Sequence, residues 1–256
     1  MIHPSAIVHS GAKIGAGVEI GPYSIVGEHV EIGDGTRIGP HVVIDGRTRL
    51  GRDNRVFSFT SLGGEPQDKK YAGEPTRLEI GDRNTIHECC TFSLGTVQDA
   101  GVTRIGDDNW IMAYAHIAHD CQVGNHTIFA NNASLAGHVH VGDWVILSGF
   151  AGVHQFVRIG AHSFLAANAI LLQDLPPYVT VAGQPAAPHG INSEGLRRRG
   201  FSSEAISAIK RAYRTLYRSG LPLAEAREKI AALAAEHAEI RLVADFIGGS
   251  GRGLVR

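Results

Sequence analysis

Six of the 14 histidines fall between positions 116 and 154, and imidazole is the side chain whose charge changes closest to neutral pH. His116, His119, His126, His138, His140 and His154 share this stretch with Asp120, Asn131, Asn132 and Gln155. His119 is followed 18 residues later by Gly137, and Gly137 another 18 later by Gln155; Asp120 is followed at the same interval by His138. If the chain winds with an 18-residue turn, each pair lies on adjacent turns ~4.8 Å apart. An imidazole then stands next to a backbone N–H that carries no side chain. A general base and an oxyanion donor are what acyl transfer to a hydroxyl requires. The competing chemistry is a zinc site, because imidazole is a common ligand. The three cysteines, Cys89, Cys90 and Cys121, are an odd number with an adjacent pair, which argues against a disulfide framework. Cys121 falls at an inward position and reads as core rather than as ligand or nucleophile.

The element that positions these groups is visible in the spacing of aliphatic residues. One recurs at every sixth position: Ile2, Val8, Ile14, Ile20, Val26, Ile32, Ile38, Ile44, Leu50, Val56 and Leu62. The pattern resumes at Ile80, Ile86 and Phe92, then runs from Ile105 to Leu171. Only the step from Phe92 to Ile105 is out of register, by one residue. Four residues after each aliphatic stands a small or β-branched side chain, such as Ala6, Ala12, Val18, Ser24, Thr60, Ala115, Ala133 or Ala151. Helical spacing is absent here. Short strands separated by corners, three per 18-residue turn, therefore predict a mainly β fold, a parallel β-helix shaped as a triangular prism; its resemblance to hexapeptide-repeat proteins implies a left-handed winding, a left-handed parallel β-helix. Glycine often follows the aliphatic, as in Ile14-Gly15, Ile20-Gly21, Ile32-Gly33 and Ile38-Gly39, where a sharp corner is expected to need torsions closed to other residues.

No turn of such a prism buries its apolar face alone, so its ends need caps. Beyond Leu171 the repeat stops at Pro176-Pro177, and Gly183, Pro185 and Pro188 mark a connection. A helix is predicted from Ser202-Ser203-Glu204 to Gly220, a second from about Leu223 to His237, and a third ending near Gly248-Gly249. The expected domains are a prism over 1–187 and a small α-helical domain over 188–256. With 256 residues, 43% hydrophobic and 19% charged, the chain can bury a sizeable core. A formal charge of −1 removes the global footprint of a nucleic-acid binder. The amino terminus shows no basic segment followed by an apolar run, and no stretch reaches membrane-span length, so a cytoplasmic protein without an integral membrane segment is expected.

The repeat is interrupted twice. Between Leu62 and Ile80 the aliphatic pattern fails although the 18-residue spacing is kept, so the segment from Gly63 to Tyr71 must leave the prism wall. A second excursion covers Gly95 to Val102, and the two loops are placed near 63–79 and 95–103. Excursions of this kind often carry function.

Together with the hexads, the motifs Tyr71-Ala72-Gly73-Glu74-Pro75-Thr76, Ala115-His116-Ile117-Ala118-His119-Asp120-Cys121, Leu135-Ala136-Gly137-His138-Val139, Val153-His154-Gln155-Phe156 and Asn192 to Phe201 carry a resemblance. The chain resembles the UDP-N-acetylglucosamine acyltransferase family of lipid A biosynthesis from Ile2 to Arg256. That resemblance implies that His119 is the general base, that Asp120 orients its ring, and that the Gly137 N–H holds the oxyanion. It also implies that an (R)-3-hydroxyacyl chain moves directly from acyl carrier protein to the glucosamine 3-position of UDP-N-acetylglucosamine. No cofactor and no metal are expected beyond the carrier's phosphopantetheine. Gln67, Asp68 and Lys70 are carried over as sugar or pantetheine contacts, and His116, His138, His154 and Gln155 as lining of the same cleft. Asn192, Glu194, Arg198 and Arg199 match the nucleotide-binding segment, where arginine pairs with diphosphate oxygens. The acyl-length ruler falls on Ala167, near Phe164, and implies an intermediate chain length. Fold analogy implies a homotrimer with clefts between neighbours.

Two departures stand out. Many members read His-Arg-Gly-Thr where this chain has Ser93-Leu94-Gly95-Thr96, and Pro185 replaces a frequent histidine. The acceptor alternatives are therefore the sugar nucleotide or its 3-amino analogue. Outside that chemistry stand an acetyl-CoA-dependent hexapeptide transferase and a zinc lyase of the γ-carbonic-anhydrase type.

Overall fold

Most aliphatics of the six-residue repeat end a two-residue strand and point inward, while their predecessors point out, as in Glu31-Ile32, Arg37-Ile38 and His116-Ile117. The computed structural model describes residues 1–250 and 253–256. Successive strands fall in rotation on three sheets of nine, eight and ten strands, parallel apart from one final antiparallel strand. Residues 18 apart are partners, as Ile7 with Ile25 and Ile117 with Leu135, itself paired with Val153. The inward aliphatics stack into one continuous core from Val18 to Val181. At the open amino-terminal end Ile2 remains 46% exposed.

The corner glycines have a different cause from the expected one. Gly21 and Gly33 are not in the left-handed region. A Cβ on Gly21 would lie 2.7 Å from the carbonyl carbon of Gly39, and one on Gly33 would lie 2.6 Å from that of Gly51. Close approach of the next turn's backbone excludes a side chain there. The left-handed residues sit elsewhere on the corners and are mostly not glycine, among them Tyr23, His41, Phe59, Asp120, His138, Trp144 and His162.

The excursions are insertions at one corner, the one leading from the nine-stranded to the eight-stranded sheet. Leu50 pairs with Ile80, 30 residues on, where a plain turn takes 18. The 18-residue gap from Leu62 to Ile80 is therefore a corner enlarged by twelve residues, and twelve, being two hexads, preserves the phase. Ile80 pairs with Ile105, 25 residues on, so the second insertion is seven residues long. The apparent one-residue slip was this loop.

At the far end, the strand Val179–Ala182 pairs antiparallel with Ala187–Ile191, so the boundary placed between 187 and 188 falls inside this hairpin. Four helices follow: α1 (Ser193–Arg198), α2 (Ser203–Tyr217), α3 (Leu223–Glu236) and α4 (Ala238–Gly248). Ser202 caps α2 by accepting from the Ala205 N–H. The short helix α1 falls on a segment read only as a binding motif. Leu196, Ile206, Ile209, Leu216, Ile230, Ile240 and Phe246 form a second core around buried Tyr178. The tail returns to the prism, where Val255 N–H donates to the Asp174 carbonyl at 2.9 Å. No helix among the described residues is long and apolar enough to cross a membrane.

Candidate active site

His119, Gly137 and Gln155 occupy successive turns of the corner that also carries both excursions. The stack follows from backbone pairing: His138 N–H donates to the His119 carbonyl at 3.0 Å, and Phe156 N–H to the Gly137 carbonyl at 3.1 Å. The His119 ring lies directly against Gly137. A Cβ built on Gly137 would be 2.5 Å from His119 Cε1 and 2.7 Å from Nε2, so glycine is required for the ring to occupy this place. Among the described residues the Gly137 N–H has no hydrogen-bond partner within the chain, whereas its neighbours Ala136 and His138 both donate.

Asp120 is the residue expected to orient the His119 ring. Its backbone is left-handed, at φ 60°, and is held by a bond from its N–H to Thr103 Oγ1 at 2.8 Å. The carboxylate turns inward and is 1% exposed. It accepts from His119 Nδ1 at 2.9 Å, from the Thr96 N–H at 2.9 Å and from Thr96 Oγ1 at 2.6 Å. Burial works to raise its pKa, but the bonds from His119 and Thr96 outweigh it and hold the carboxyl below its ordinary value. The imidazole must then carry its proton on Nδ1, which leaves Nε2 as the lone-pair nitrogen.

His138 is one turn above Asp120. Its Nδ1 donates to Asp99 Oδ2 at 2.8 Å and lies 3.9 Å from Asp120 Oδ2. Its ring stacks on Phe156 at 4.4 Å and meets His119 edge to face at 5.0 Å. Among the described residues, His119, Asp120 and His138 are the group whose ligand atoms lie near enough to share an ion, within 4.8 Å. Both Nδ1 atoms are already engaged with carboxylates. Cys121 is buried, its Sγ bonded to the Ala136 carbonyl at 3.2 Å, and burial pushes its pKa up to about 12. No thiolate is available here at neutral pH.

Comparison with known proteins bears on what such a corner does. A protein-family model described as Udp N-acetylglucosamine O-acyltransferase, domain 2, matches residues 174–255. A bacterial transferase hexapeptide model, of six repeats, matches residues 11–46 and 103–137. The acyl-[acyl-carrier-protein]–UDP-N-acetylglucosamine O-acyltransferase of Thiobacillus denitrificans is 66% identical over 255 residues, covering 100% of this chain and 99% of the relative. The crystal structure of the Francisella novicida UDP-N-acetylglucosamine acyltransferase superposes with a TM-score of 0.98 at 44% identity, covering 100% of this chain and 94% of that one. That of the Moraxella catarrhalis UDP-N-acetylglucosamine O-acyltransferase gives 0.98 at 47%, covering 100% and 99%. The chain belongs to the UDP-N-acetylglucosamine O-acyltransferase family. It is an acyltransferase, and its fold is the left-handed parallel β-helix with carboxy-terminal helices.

The remaining residues of this acyltransferase divide among the corners of the prism. His116 lies on the strand entering the His119 corner, bonded to Thr91 Oγ1 at 2.8 Å, and burial lowers its pKa. His154 and Gln155 lie two turns above His116 and are exposed. Gln67, Asp68 and Lys70 sit on the first excursion, two turns below His119. Gln67 and Lys70 are exposed, and Asp68 accepts from the Lys70 N–H at 3.0 Å.

The segment expected to bind nucleotide lies at a different corner, between the eight- and ten-stranded sheets. Asn192 caps α1 by accepting from the Gly195 N–H at 3.1 Å, and its Nδ2 donates to the His162 carbonyl at 3.0 Å. The Arg199 guanidinium stacks over Trp144 at 5.1 Å and donates to the Trp144 carbonyl at 3.0 Å and to His162 Nδ1 at 3.2 Å. Burial and Arg199 push the His162 pKa down to about 4, so the ring is neutral and able to accept that bond. Glu194 pairs with Arg197 and, at 3.1 Å, with Arg198, whose side chain is 77% exposed. Phe164 and exposed Ala167 lie on the ten-stranded sheet and at its next corner.

Sequence reasoning missed Thr96, Asp99, Thr103, Trp144 and His162. The 18-residue interval from His126 through Trp144 to His162 was a signal for the last two. For Thr96 and Asp99 the only signal was their position in the second excursion.

Proposed function

We propose that the enzyme transfers an (R)-3-hydroxyacyl chain from acyl carrier protein to the glucosamine 3-hydroxyl of UDP-N-acetylglucosamine, in the cytoplasm, as the first step of lipid A biosynthesis. The observation that carries the mechanism is the His119 ring lying against Gly137 with its Nδ1 bonded to Asp120. Nε2 takes the proton of the 3-hydroxyl as the oxygen attacks the thioester carbonyl. The Gly137 N–H donates to the oxyanion that forms. Collapse of this intermediate breaks the carbon–sulfur bond, and the leaving pantetheine thiolate recovers the proton from His119. Product and donor thiol are complete after one step, without an acyl-enzyme or a cofactor, in keeping with the buried Cys90 and Cys121, whose pKa burial raises.

One protomer holds the base, the nucleotide segment and the ruler at separate corners. This supports a homotrimer in which the His119 corner of one copy faces Asn192, Glu194 and Arg198 of the next. Arg198, exposed and, among the described residues, paired only within its own helix, is the cation for the diphosphate. Arg199 fastens α1 to the prism. Gln67, Asp68 and Lys70 reach substrate from the first excursion, and His116, His154 and Gln155 line the cleft. Ala167 and Phe164 bound the acyl chain at intermediate length.

The test is mass spectrometry of the products formed from a mixture of carrier-bound hydroxyacyl chains, acetyl-CoA, UDP-N-acetylglucosamine and its 3-amino analogue. The expected product is a 3-O-hydroxyacyl ester of intermediate chain length. A predominant amide would move the acceptor to the amino sugar, and an acetylated product would remove acyl carrier protein as donor.

A further inference from the structure

The second excursion reaches the active-site corner through two carboxylate contacts. Thr96, at its base, donates to the carboxylate that orients His119. Asp99, at its exposed tip, accepts from Nδ1 of His138 at 2.8 Å. Two imidazole–carboxylate pairs therefore stand on successive turns, His119 with Asp120 below and His138 with Asp99 above. Only the first pair is contained within one corner; the second depends on a side chain brought from 39 residues away.

His138 is held on every side. Its side chain is 11% exposed, one face is stacked on Phe156, and its edge abuts His119. Its backbone is left-handed, at φ 62°. The one freedom left by this packing is the identity of the protonated nitrogen. A carboxylate accepts and does not donate, so the Asp99 contact places the proton on Nδ1. Nε2 is then the nitrogen offered to a ligand, as it is in His119.

Resting on the acyl-transfer reading of this corner, we propose that Asp99 is a positioning residue for the reaction. It holds His138 in the Nδ1–H tautomer and keeps its ring against His119, so that both imidazoles present Nε2 to the substrates. Without the carboxylate, Nδ1 faces the Asp120 Oδ2 at 3.9 Å, too far for a hydrogen bond, and the ring loses the bond that fixes its proton. The His119 ring, packed against that edge, loses a fixed neighbour.

The test combines kinetics with ¹⁵N NMR of the histidine rings in the full-length protein. Asp99→Asn keeps the size of the side chain and Asp99→Ala removes it. Both are expected to lower kcat/KM on the order of 10- to 10²-fold, the scale of a displaced reacting geometry. The His138 signals, assigned by their loss in His138→Gln, should move from the Nδ1–H pattern to a mixture or to Nε2–H, with the melting temperature held. A tautomer unchanged in both variants overturns the proposal, as does kcat/KM within about twofold of the parent. Loss of activity that follows a lowered melting temperature, without a change of tautomer, also overturns it. His119→Ala is measured alongside. If that variant stays active, the reading of the corner itself fails; if it is inactive while Asp99→Asn is not, only the role of Asp99 fails.

Discussion

A methyl group on Gly137 would sit 2.5 Å from Cε1 and 2.7 Å from Nε2 of His119, inside any tolerable contact, so the ring must swing away from its bond with Asp120. Gly137→Ala is therefore expected to lower kcat on the order of 10²-fold, the scale of an oxyanion donor or its base displaced. Steady-state kinetics and a melting curve separate this from unfolding. Activity near the parental level would show that the Gly137 backbone does not face the reaction. At this scale the residue types were legible in the sequence, since the 18-residue interval alone stacks His119 against Gly137 and Asp120 below His138. The inward turn of Asp120 was not legible. It depends on Thr96 and Thr103, and Thr96 reaches the carboxylate only because a seven-residue insertion folds back over the corner. No local pattern records such a return.

At the level of the strand and the turn, stability is a sum over neighbouring turns, each burying its aliphatics against the next. Leu135 is fully buried between Ile117 and Val153. Leu135→Ala should destabilise the protein by about 2–5 kcal/mol, read as a shift of the denaturation midpoint, whereas the same change at half-exposed Ile2 should leave that midpoint nearly unmoved. Equal effects at both positions would contradict the stacked core. The strands themselves were readable because a two-residue strand leaves only one inward aliphatic per side, and its period survives a corner insertion that is a multiple of six. The first loop was read from the failed aliphatics between Leu62 and Ile80, but its length was hidden. An insertion of twelve residues restores the hexad phase, so nothing in the pattern distinguishes an enlarged corner from a missing turn. The corner glycines were misread for a related reason: spacing shows where a side chain is absent, and only coordinates show that the next turn's backbone excludes it. Helix α1 is one short turn-and-a-half held by Asn192 and Arg199 contacts to the prism, and too brief for a periodic signal.

In the whole molecule the proposed base and the proposed diphosphate ligand lie at different corners of one prism, so on the proposed reading a complete site draws on two copies. Mixed assemblies test this directly. Trimers reassembled from equal amounts of His119→Ala and Arg198→Ala chains should regain about a quarter of parental activity, because each cleft draws one intact half from each neighbour with even odds. Mixtures no more active than their parents would place both groups within one chain's site or outside any site. The pairing of imidazole and amide on adjoining turns remains the claim on which the assembly, the loops and the helices all bear. Its most direct test is the single-turnover rate of acyl transfer from (R)-3-hydroxyacyl carrier protein to UDP-N-acetylglucosamine by the His119→Ala protein. A loss of about 10²–10⁴-fold with the fold intact is predicted for a general base, and a rate close to that of the parent would contradict it.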